Sequence, residues 1–348
     1  MRSGFVAILG RPNVGKSTLL NALTGEKVAI VTPKPQTTRN RIAGVVEVKA
    51  GKGGHPAAQI VFVDTPGVHK PGSQLDRRML QAVHEALETR DLVLVLIDST
   101  RRIQLESGAE GHENKGPHAQ WSSEDEFLFS LVRKLDCPVF LVLTKIDLVP
   151  KDRLLPLIEM LTRQFNFAEV IPVSARKRDG LDLLTRKIVE VLPKGERYYP
   201  QDQYTDQPMR FMVAELIRER ILVETGEEVP YASAVVIERF EEAEPPAPPR
   251  KKNQAPARLP LTRIAAAIYC ERAGQKAILI GKGGAKLKEI GTGARKQIES
   301  LLGTRVYLEL HVIVEPGWRE SRGFIDSLDW RNQLEKLAEH QSNEEPPE

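Results

Sequence analysis

Near the start of the chain, one segment has the residue types and the spacing needed to hold phosphate groups. Residues 10–17 form the pattern Gly-x-x-x-x-Gly-Lys-Ser directly after an apolar stretch. Such glycines let backbone N–H groups curl around phosphate oxygens, and the helix that follows offers its positive N-terminus. Lys16 can reach the β- and γ-phosphates, and the hydroxyl of Ser17 can ligate Mg²⁺. The predicted phosphate-binding residues are Gly10, Asn13, Val14, Gly15, Lys16, Ser17 and Thr18.

A second polar turn, at residues 64–67, reads Asp-Thr-Pro-Gly and follows a later apolar strand. There Asp64 can hold Mg²⁺ through a water molecule, and the backbone N–H of Gly67 can contact the γ-phosphate. An isolated sequence of this kind is more often only a turn. Its position at the end of a strand beside the phosphate loop favours the functional interpretation.

Two further segments indicate that the base is guanine. Residues 144–147, Thr-Lys-Ile-Asp, end another strand. Guanine presents N1–H and N2–H₂ donors on one edge, and the carboxylate of Asp147 can accept both. Adenine has an acceptor at N1 and would leave that carboxylate unpaired, a mismatch that discriminates by about 10⁴. Lys145 can lie along the base plane, and the turn containing Ser174 and Ala175 can supply a backbone N–H to guanine O6.

Residues 32–39, Thr-Pro-Lys-Pro-Gln-Thr-Thr-Arg, are rich in proline and threonine and predict a loop. A threonine in such a loop can complete the shell of Mg²⁺ when a γ-phosphate is present. Thr37 and Thr38 are the candidates. The alternative is that both are solvated loop residues.

The segments that carry these motifs predict a three-layer α/β domain with a mainly parallel sheet, over residues 1–192. Continuous apolar runs such as residues 92–97 are expected where helices cover both faces of a sheet. The predicted strands are residues 5–9, 42–48, 60–63, 92–97, 139–143 and 169–173. The predicted helices are residues 17–23, 74–88, 123–135, 153–165 and 181–191. A polar linker is predicted over residues 193–207.

A second, α+β domain is predicted over residues 208–340, followed by a tail over 341–348. Its order is α-β-β-α-α-β, from a helix at 208–224, strands at 233–240 and 262–270, helices at 276–280 and 285–302, and a strand at 306–315. A C-terminal helical extension is expected from about residue 324. The motif Gly-x-x-Gly at residues 281–284 lies between the last two helices of this order. That arrangement resembles a prokaryotic-type KH domain, whose GxxG loop clamps a nucleic-acid backbone.

Charge supports a nucleic-acid surface around this loop. Residues 276–305 contain seven basic and two acidic residues, a net charge of +5, against +3 for the whole chain. Basic residues on helices are often only a solvated face, but the glycine loop favours the functional interpretation. The predicted RNA-binding residues are Gly281, Lys282, Gly283, Gly284, Lys286, Lys288 and Arg295. The neighbouring Ile278, Ile280, Leu287 and Ile290 form either the floor of a groove or core.

Length and composition set the broad class of protein. With 348 residues, 41% hydrophobic and 28% charged, the chain is expected to be globular with two domains. The longest apolar runs are far shorter than the about 20 residues that a transmembrane helix needs. Two cysteines give no disulfide framework. We therefore expect a soluble, cytoplasmic protein without a secretory signal or a transmembrane segment.

Five motifs together resemble those of the Era GTPase family, within the translation-factor-related class of GTPases. They lie at residues 10–17, 36–39, 64–67, 228–231 and 280–284. The resemblance covers nearly the whole chain, with residues 49–59, 101–122 and 241–260 as extra material. It implies a P-loop GTPase domain followed by a type II KH domain, and it favours Thr38 over Thr37. It also implies catalytic roles for Lys16, Thr38 and Gly67, and Mg²⁺ ligation by Ser17, Thr38 and Asp64.

The resemblance also implies partners. These are GTP and GDP, the 3′ region of 16S rRNA and the 30S ribosomal subunit, whose maturation the family serves. Peripheral membrane association, at the inner membrane, is known in some members. We expect a monomer.

Three positions depart from common GTPase patterns. Thr144 stands where asparagine is usual and Arg176 where lysine is common, but neither change removes the carboxylate that reads guanine. Val68 follows Gly67 where Ras-like enzymes place the glutamine that orients the attacking water, so slow unaided hydrolysis is predicted. Relatives that lack this glutamine and carry an asparagine at the position of Asn13 use K⁺ at the phosphates. The resemblance therefore makes K⁺ a candidate cofactor beside Mg²⁺.

Three other functions compete with a GTP-gated RNA-binding factor. A signalling switch would use the KH-like domain to bind protein. A constitutive RNA-binding protein would bind RNA equally in its GDP and GTP states. An ATPase is the weakest alternative, because it requires the base assignment at Asp147 to be wrong.

Overall fold

The computed structural model describes residues 1–51, 56–102, 123–226, 228–243 and 259–331. The chain divides into two compact units, residues 1–72 with 76–206, and residues 73–75 with 207 onward. Most of the predicted insertions at 101–122 and 241–260 lies outside the described residues, as does the predicted tail at 341–348. Within the described ranges, no helix is long and apolar enough to span a bilayer.

A six-stranded sheet forms the centre of the first unit. Its strands are β1 Arg2–Gly10, β2 Ile42–Val48, β3 Ala58–Asp64, β4 Leu92–Asp98, β5 Val139–Thr144 and β6 Glu169–Pro172. Their order across the sheet is β2-β3-β1-β4-β5-β6. Only the pair β2 and β3 is antiparallel among these neighbours. The predicted, mainly parallel α/β sheet is therefore confirmed.

Helices cover both faces of this sheet. They are α1 Lys16–Thr24, α2 Gln74–Glu88, α3 Ser99–Arg102, α4 Ser123–Val132, α5 Leu154–Thr162 and α6 Leu181–Val191. Strand β1 shows the two-sided packing, since Val6 and Ile8 belong to one apolar cluster and Ala7 and Leu9 to another. All four side chains are fully buried. Burial on both faces explains why the strands are continuously apolar instead of alternating.

The carboxyl ends of four strands place polar residues at one edge of the sheet. Gly10 ends β1, Asp64 ends β3, Asp98 ends β4 and Thr144 ends β5. Ile8 lies opposite Asp64, and Asp98 lies opposite Thr144. Crevices at the carboxyl ends of strands are where open α/β sheets bind ligands. This edge therefore positions the candidate site.

The first unit extends past the predicted boundary at residue 192, to Asp206. The predicted linker hydrogen-bonds to the sheet instead of standing apart from it. The backbone N–H of Ser3 donates to Pro193 O at 3.1 Å, the Gln59 amide donates to Tyr199 O at 2.8 Å, and Val45 N–H donates to Tyr204 O at 2.9 Å. This polar segment is therefore held to β1, β2 and β3 by hydrogen bonds and is not a free linker.

The second unit has the predicted order α-β-β-α-α-β. Its elements are α7 Met209–Glu224, β7 Ala234–Glu241, β8 Leu261–Cys270, α8 Ala273–Ile280, α9 Ala285–Leu302 and β9 Arg305–Val314, followed by α10 Arg322–Ser327. The sheet order is β7-β8-β9, with β7 antiparallel and β9 parallel to β8. The α+β KH-type prediction is confirmed. Residues from 332 onward lie outside the described structure.

Candidate functional site

The phosphate loop joins the end of β1 to the start of α1. Gly15 precedes the helix with φ of 101°, a left-handed conformation that glycine adopts without steric cost. Lys16 is almost fully buried, and its Nζ donates to the carbonyl oxygens of Gly10 at 3.1 Å and Arg11 at 3.0 Å. Burial lowers the pKa of Lys16 to about 8, although the nearby Asp64 carboxylate opposes the shift. A buried lysine inside a phosphate-sized loop is suited to neutralise a phosphate oxygen.

Three oxygen-bearing side chains meet beside this loop. Ser17 Oγ donates to Asp64 Oδ2 at 2.7 Å and lies 2.8 Å from Thr38 Oγ1, which donates to the same Oδ2 at 3.3 Å. Asp64 is fully buried, and its Oδ1 has no hydrogen-bond partner among the described residues. Burial raises the pKa of Asp64, opposed mainly by Lys16. An all-oxygen donor set with a spare buried carboxylate oxygen fits Mg²⁺, a hard cation.

The structure separates the two candidate threonines. The hydroxyl of Thr38 lies with Ser17 and Asp64, as described above. The hydroxyl of Thr37 lies 2.8 Å from Thr32 Oγ1 and donates to Lys34 O at 2.7 Å. Thr38 therefore contacts two other predicted metal ligands, Ser17 and Asp64.

Gly67 approaches the phosphate loop too closely for any other residue. A Cβ at this position would lie 2.6 Å from Pro12 Cγ and 2.8 Å from Pro12 N. The next residue, Val68, donates its backbone N–H to Gly10 O at 3.0 Å. The side chain of Val68 is buried in the apolar cluster with Val83. The residue after Gly67 is therefore apolar and buried.

Two of the residues predicted to recognise the base are hydrogen-bonded to the phosphate loop. Thr144 Oγ1 donates to Val14 O at 2.7 Å, and Lys145 Nζ donates to Asn13 O at 2.8 Å. Ser174 Oγ donates to Asp147 Oδ1 at 2.7 Å, and this hydrogen bond holds the pKa of Asp147 below its usual value. The hydroxyl of Thr144 thus makes a structural link to the loop, and Asp147 stays ionised, as an acceptor of guanine N–H groups must.

These residues border a cavity of about 560 Å³, within the range of small-molecule sites. The predicted residues that line it are Asn13, Val14, Gly15, Lys16, Ser17, Thr18, Thr38, Gly67, Thr144, Lys145, Asp147 and Ala175. Gly10, Asp64 and Ser174 do not line it. These three residues instead hydrogen-bond to residues that line the cavity. Gly10 O accepts from Lys16, Asp64 accepts from Ser17, and Ser174 donates to Asp147.

Sequence reasoning missed Asp98, which ends β4. Its Oδ2 lies 2.6 Å from Lys145 Nζ, and its Oδ1 accepts from Thr100 N–H at 3.0 Å. The signal was present, because Asp98 is a single acidic residue directly after the apolar run at 92–97. Other lining residues outside the prediction include Pro33, Gln36 and Leu148.

In the second unit, the GxxG motif forms the turn between α8 and α9. Gly281, Gly283 and Gly284 have φ of 70°, 59° and 81°, conformations that side chains rarely adopt. Lys282 and Gly283 are exposed. The structure therefore presents this turn to solvent, with its backbone accessible.

The predicted basic and apolar neighbours of the turn fall into different environments. Lys288 and Arg295 are exposed, whereas Lys286 is half-buried with its Nζ 2.7 Å from Glu289 Oε2. Ile278 is 49% exposed, whereas Ile290 is fully buried. Ile280 and Leu287 are intermediate. Ile290 is thus core, and the other three remain available to an apolar groove.

Comparison with known proteins agrees with this arrangement. Residues 5–145 match the family of 50S ribosome-binding GTPases, and residues 250–319 match the KH domain family. The GTPase Era of Ruminiclostridium cellulolyticum is 39% identical over 330 residues, which are 95% of this chain and 98% of that protein. The GTPase Era of Lacticaseibacillus paracasei is 44% identical over 328 residues, 94% of this chain and 96% of that protein.

Two solved structures match over both units. One is a variant of Aquifex aeolicus Era bound to GDP and AlF₄⁻, 36% identical, with a TM-score of 0.80. The other is Era in complex with MgGDPNP and nucleotides 1506–1542 of 16S ribosomal RNA, 37% identical, also with a TM-score of 0.80. Each match covers 95% of this chain and 99% of the other chain. The chain therefore belongs to the Era family of GTPases, with a P-loop GTPase domain followed by a KH domain.

Proposed function

We propose that this protein hydrolyses GTP slowly, binds the 3′ region of 16S rRNA through its KH domain and acts in maturation of the 30S subunit. The observation that carries the proposal is one cavity bordered both by Lys16, Ser17 and Thr38 and by the guanine-reading Asp147. The exposed, basic GxxG turn supports the RNA-binding part, as does the related Era structure that contains 16S rRNA nucleotides.

In this proposal, Ser17, Thr38 and Asp64 hold Mg²⁺, which supplies positive charge to the β- and γ-phosphates when bound. Lys16 neutralises the phosphates, and the Gly67 N–H orients the γ-phosphate. Because Val68 cannot orient water, unaided hydrolysis is expected to be no faster than the intrinsic rate of Ras, roughly 10⁻⁴ s⁻¹. The sequence around Asn13 makes K⁺ a proposed second activator. Equal hydrolysis rates in Na⁺ and K⁺ would argue against it.

The coupling we propose is a population shift. Binding of GTP orders the loops that contain Thr38 and Gly67, and that state favours RNA binding by the KH domain. By linkage, bound RNA favours the GTP state, and slow hydrolysis times release. Predictions that accompany this function are a cytoplasmic location with a peripheral membrane fraction and a monomeric state.

The test compares RNA affinity in two nucleotide states. A single-stranded RNA from the 3′ end of 16S rRNA is titrated against protein loaded with GDP or with a non-hydrolysable GTP analogue, at one fixed salt concentration. Tighter binding with the analogue supports the proposal. Equal affinity in both states favours a constitutive RNA-binding protein.

A matched pair of variants tests the RNA surface. Gly283 has φ of 59°, and a Cβ there meets no atom within 4 Å, so Asp and Asn meet no clash and carry the same backbone strain. Gly283→Asp adds a negatively charged side chain to the turn, and Gly283→Asn adds an uncharged side chain of nearly the same shape. We expect Gly283→Asp to weaken RNA binding by roughly tenfold more than Gly283→Asn. Equal RNA affinities would favour the signalling alternative, in which the KH domain binds protein.

A further inference from the structure

His69 and Asp76 form a hydrogen-bonded pair next to the nucleotide cavity that none of the roles above uses. His69 Nδ1 lies 2.8 Å from Gly67 O, and its Nε2 lies 3.1 Å from Asp76 Oδ1. Asp76 belongs to the first turn of α2. Both side chains are largely sheltered, with 17% and 13% of their surfaces exposed. The ring therefore connects the turn that contains Gly67 to a helix.

The same carboxylate also holds the other nucleotide loop. Gln36 Nε2 donates to Asp76 Oδ1 at 3.1 Å, and Gly72 N–H donates to Asp76 Oδ2 at 3.1 Å. Gln36 lines the cavity, two residues before Thr38. One carboxylate thus joins the loop that contains Thr38 to the segment between Gly67 and Gly72. We call Gln36, Asp76 and His69 the switch tether.

The contacts of His69 restrict what can replace it. The carbonyl oxygen of Gly67 and the carboxylate of Asp76 are both acceptors, so the ring makes both hydrogen bonds when each of its nitrogens carries a hydrogen. A glutamine has one donor group and can restore one of the two contacts. An alanine restores neither.

We propose that His69 and Asp76 are positioning residues that hold the two switch loops together and thereby favour GTP over GDP. The inference rests on the proposed ordering of these loops by GTP. Thr38 and the Gly67 N–H serve the γ-phosphate and its Mg²⁺, so holding them in place adds affinity for a triphosphate. GDP has no γ-phosphate and gains nothing from their position. The tether is therefore expected to contribute to selection between the two nucleotides.

The experiment measures dissociation constants of the full chain for GDP and for a non-hydrolysable GTP analogue, with Mg²⁺ and without RNA. Asp76→Ala removes the contacts of this carboxylate to His69, Gln36 and Gly72 and is expected to weaken analogue binding by roughly tenfold, as for loss of a hydrogen bond to a charged group. GDP affinity stays near that of the wild type. Arg77→Ala, at an exposed position next to Asp76 on α2, is the matched control and should change neither constant.

Two further variants separate positioning from a general effect on folding. His69→Ala should weaken analogue binding, and His69→Gln should restore part of the loss. The double variant with Asp76→Ala should lose less than the sum of the two single losses, since both changes remove the contact between His69 and Asp76. Losses that are equal for GDP and the analogue, or additive losses in the double variant, overturn the proposal.

A proteolysis measurement on the wild-type protein shows whether a negative result contradicts only the switch tether or also the proposed function. Limited proteolysis of the loops around residues 32–39 and 67–72 is compared in GDP and in the analogue. If the analogue protects these loops and Asp76→Ala still binds it normally, the tether is wrong and the proposed switch survives. If the analogue gives no protection in the wild type, the GTP-ordered switch fails and the tether fails with it.

Discussion

At the nucleotide site, the charged side chains of Lys16 and Asp64 are buried, whereas those of Lys286 and Glu289 beside the GxxG turn of the KH domain are partly exposed. Asp64 and Lys16 have almost no exposed surface. In the pair Lys286 and Glu289, 34% and 52% of the side-chain surfaces are exposed. A buried polar group that loses its partner cannot recover the loss from water, whereas an exposed one can. Equivalent substitutions should therefore have large effects at the first site and small, salt-dependent effects at the second.

The largest effect is expected at the base. Asp147→Asn keeps the size of the side chain but exchanges an acceptor for a donor, which suits the C2 carbonyl of xanthine and not the amino group of guanine. We expect the preference for GTP over xanthosine triphosphate to fall by about 10⁴, measured by competition for the bound nucleotide. Asp152→Asn, an exposed acidic residue in the 3₁₀ turn Lys151–Arg153, is the control. An unchanged preference for GTP contradicts the base assignment.

The second-largest effect is expected at Thr38, and the adjacent Thr37 is its control. Thr38→Ala removes a hydroxyl 2.8 Å from Ser17 Oγ and 3.3 Å from the buried Asp64 carboxylate. We expect the single-turnover rate of GTP hydrolysis to fall by about 10² at saturating Mg²⁺. Thr37→Ala removes a hydroxyl that lies 2.8 Å from Thr32 Oγ1 and donates to Lys34 O, and it should leave the rate nearly unchanged. The reverse order would move the metal ligand to Thr37.

The third prediction concerns Asp98, whose carboxylate is 2.6 Å from Lys145 Nζ and whose side chain is 8% exposed. Asp98→Asn removes the charge but keeps the shape. We expect affinity for GDP and GTP to fall together by roughly tenfold, because a charge-assisted hydrogen bond is lost. Nucleotide dissociation rates measure this loss. In a Lys145→Ala background the same change should add nothing, and a further loss would assign Asp98 another role.

Local motifs of the nucleotide site could be predicted because each is a short segment at the end of a strand. The phosphate loop, the turn at Asp64 and Asp147, the proposed reader of guanine, all follow apolar runs, and the sheet brings such ends together. The partners of Asp98, Gln36 and His69 could not be predicted in this way. Asp98 and Gln36 meet residues 47 and 40 positions away in the sequence, and His69 meets Asp76 across a loop whose path no sequence pattern gives, so these contacts depend on tertiary packing.

The ends of the elements could be predicted less well than their positions, because they also depend on residues that are distant in the sequence. Strand β1 was predicted over residues 5–9 from its apolar run, but it begins at Arg2, because Arg2 and Ser3 pair with Ala58 and Gln59 of β3. Residues 193–206 read as a linker because they are polar, although they hydrogen-bond to the sheet. Backbone pairing stabilises polar segments that carry no hydrophobic pattern. The sequence pattern therefore locates elements better than it locates their ends.

The smallest effect is expected at the exposed pair beside the GxxG turn. Glu289 raises the pKa of Lys286 through a hydrogen bond of 2.7 Å, and the same bond lowers the pKa of Glu289. Glu289→Gln frees the Lys286 ammonium for a phosphate, so we expect RNA affinity to rise by about two- to threefold and its salt dependence to steepen. Glu309→Gln makes the same charge change on β9, outside α8 and α9, and is the control for net charge. Equal gains in both variants would show a general electrostatic effect. A gain confined to Glu289→Gln would show that this ion pair limits how strongly the surface holds RNA. Breaking the pair of Lys145 and Asp98, in which the carboxylate is only 8% exposed, is expected instead to weaken nucleotide binding.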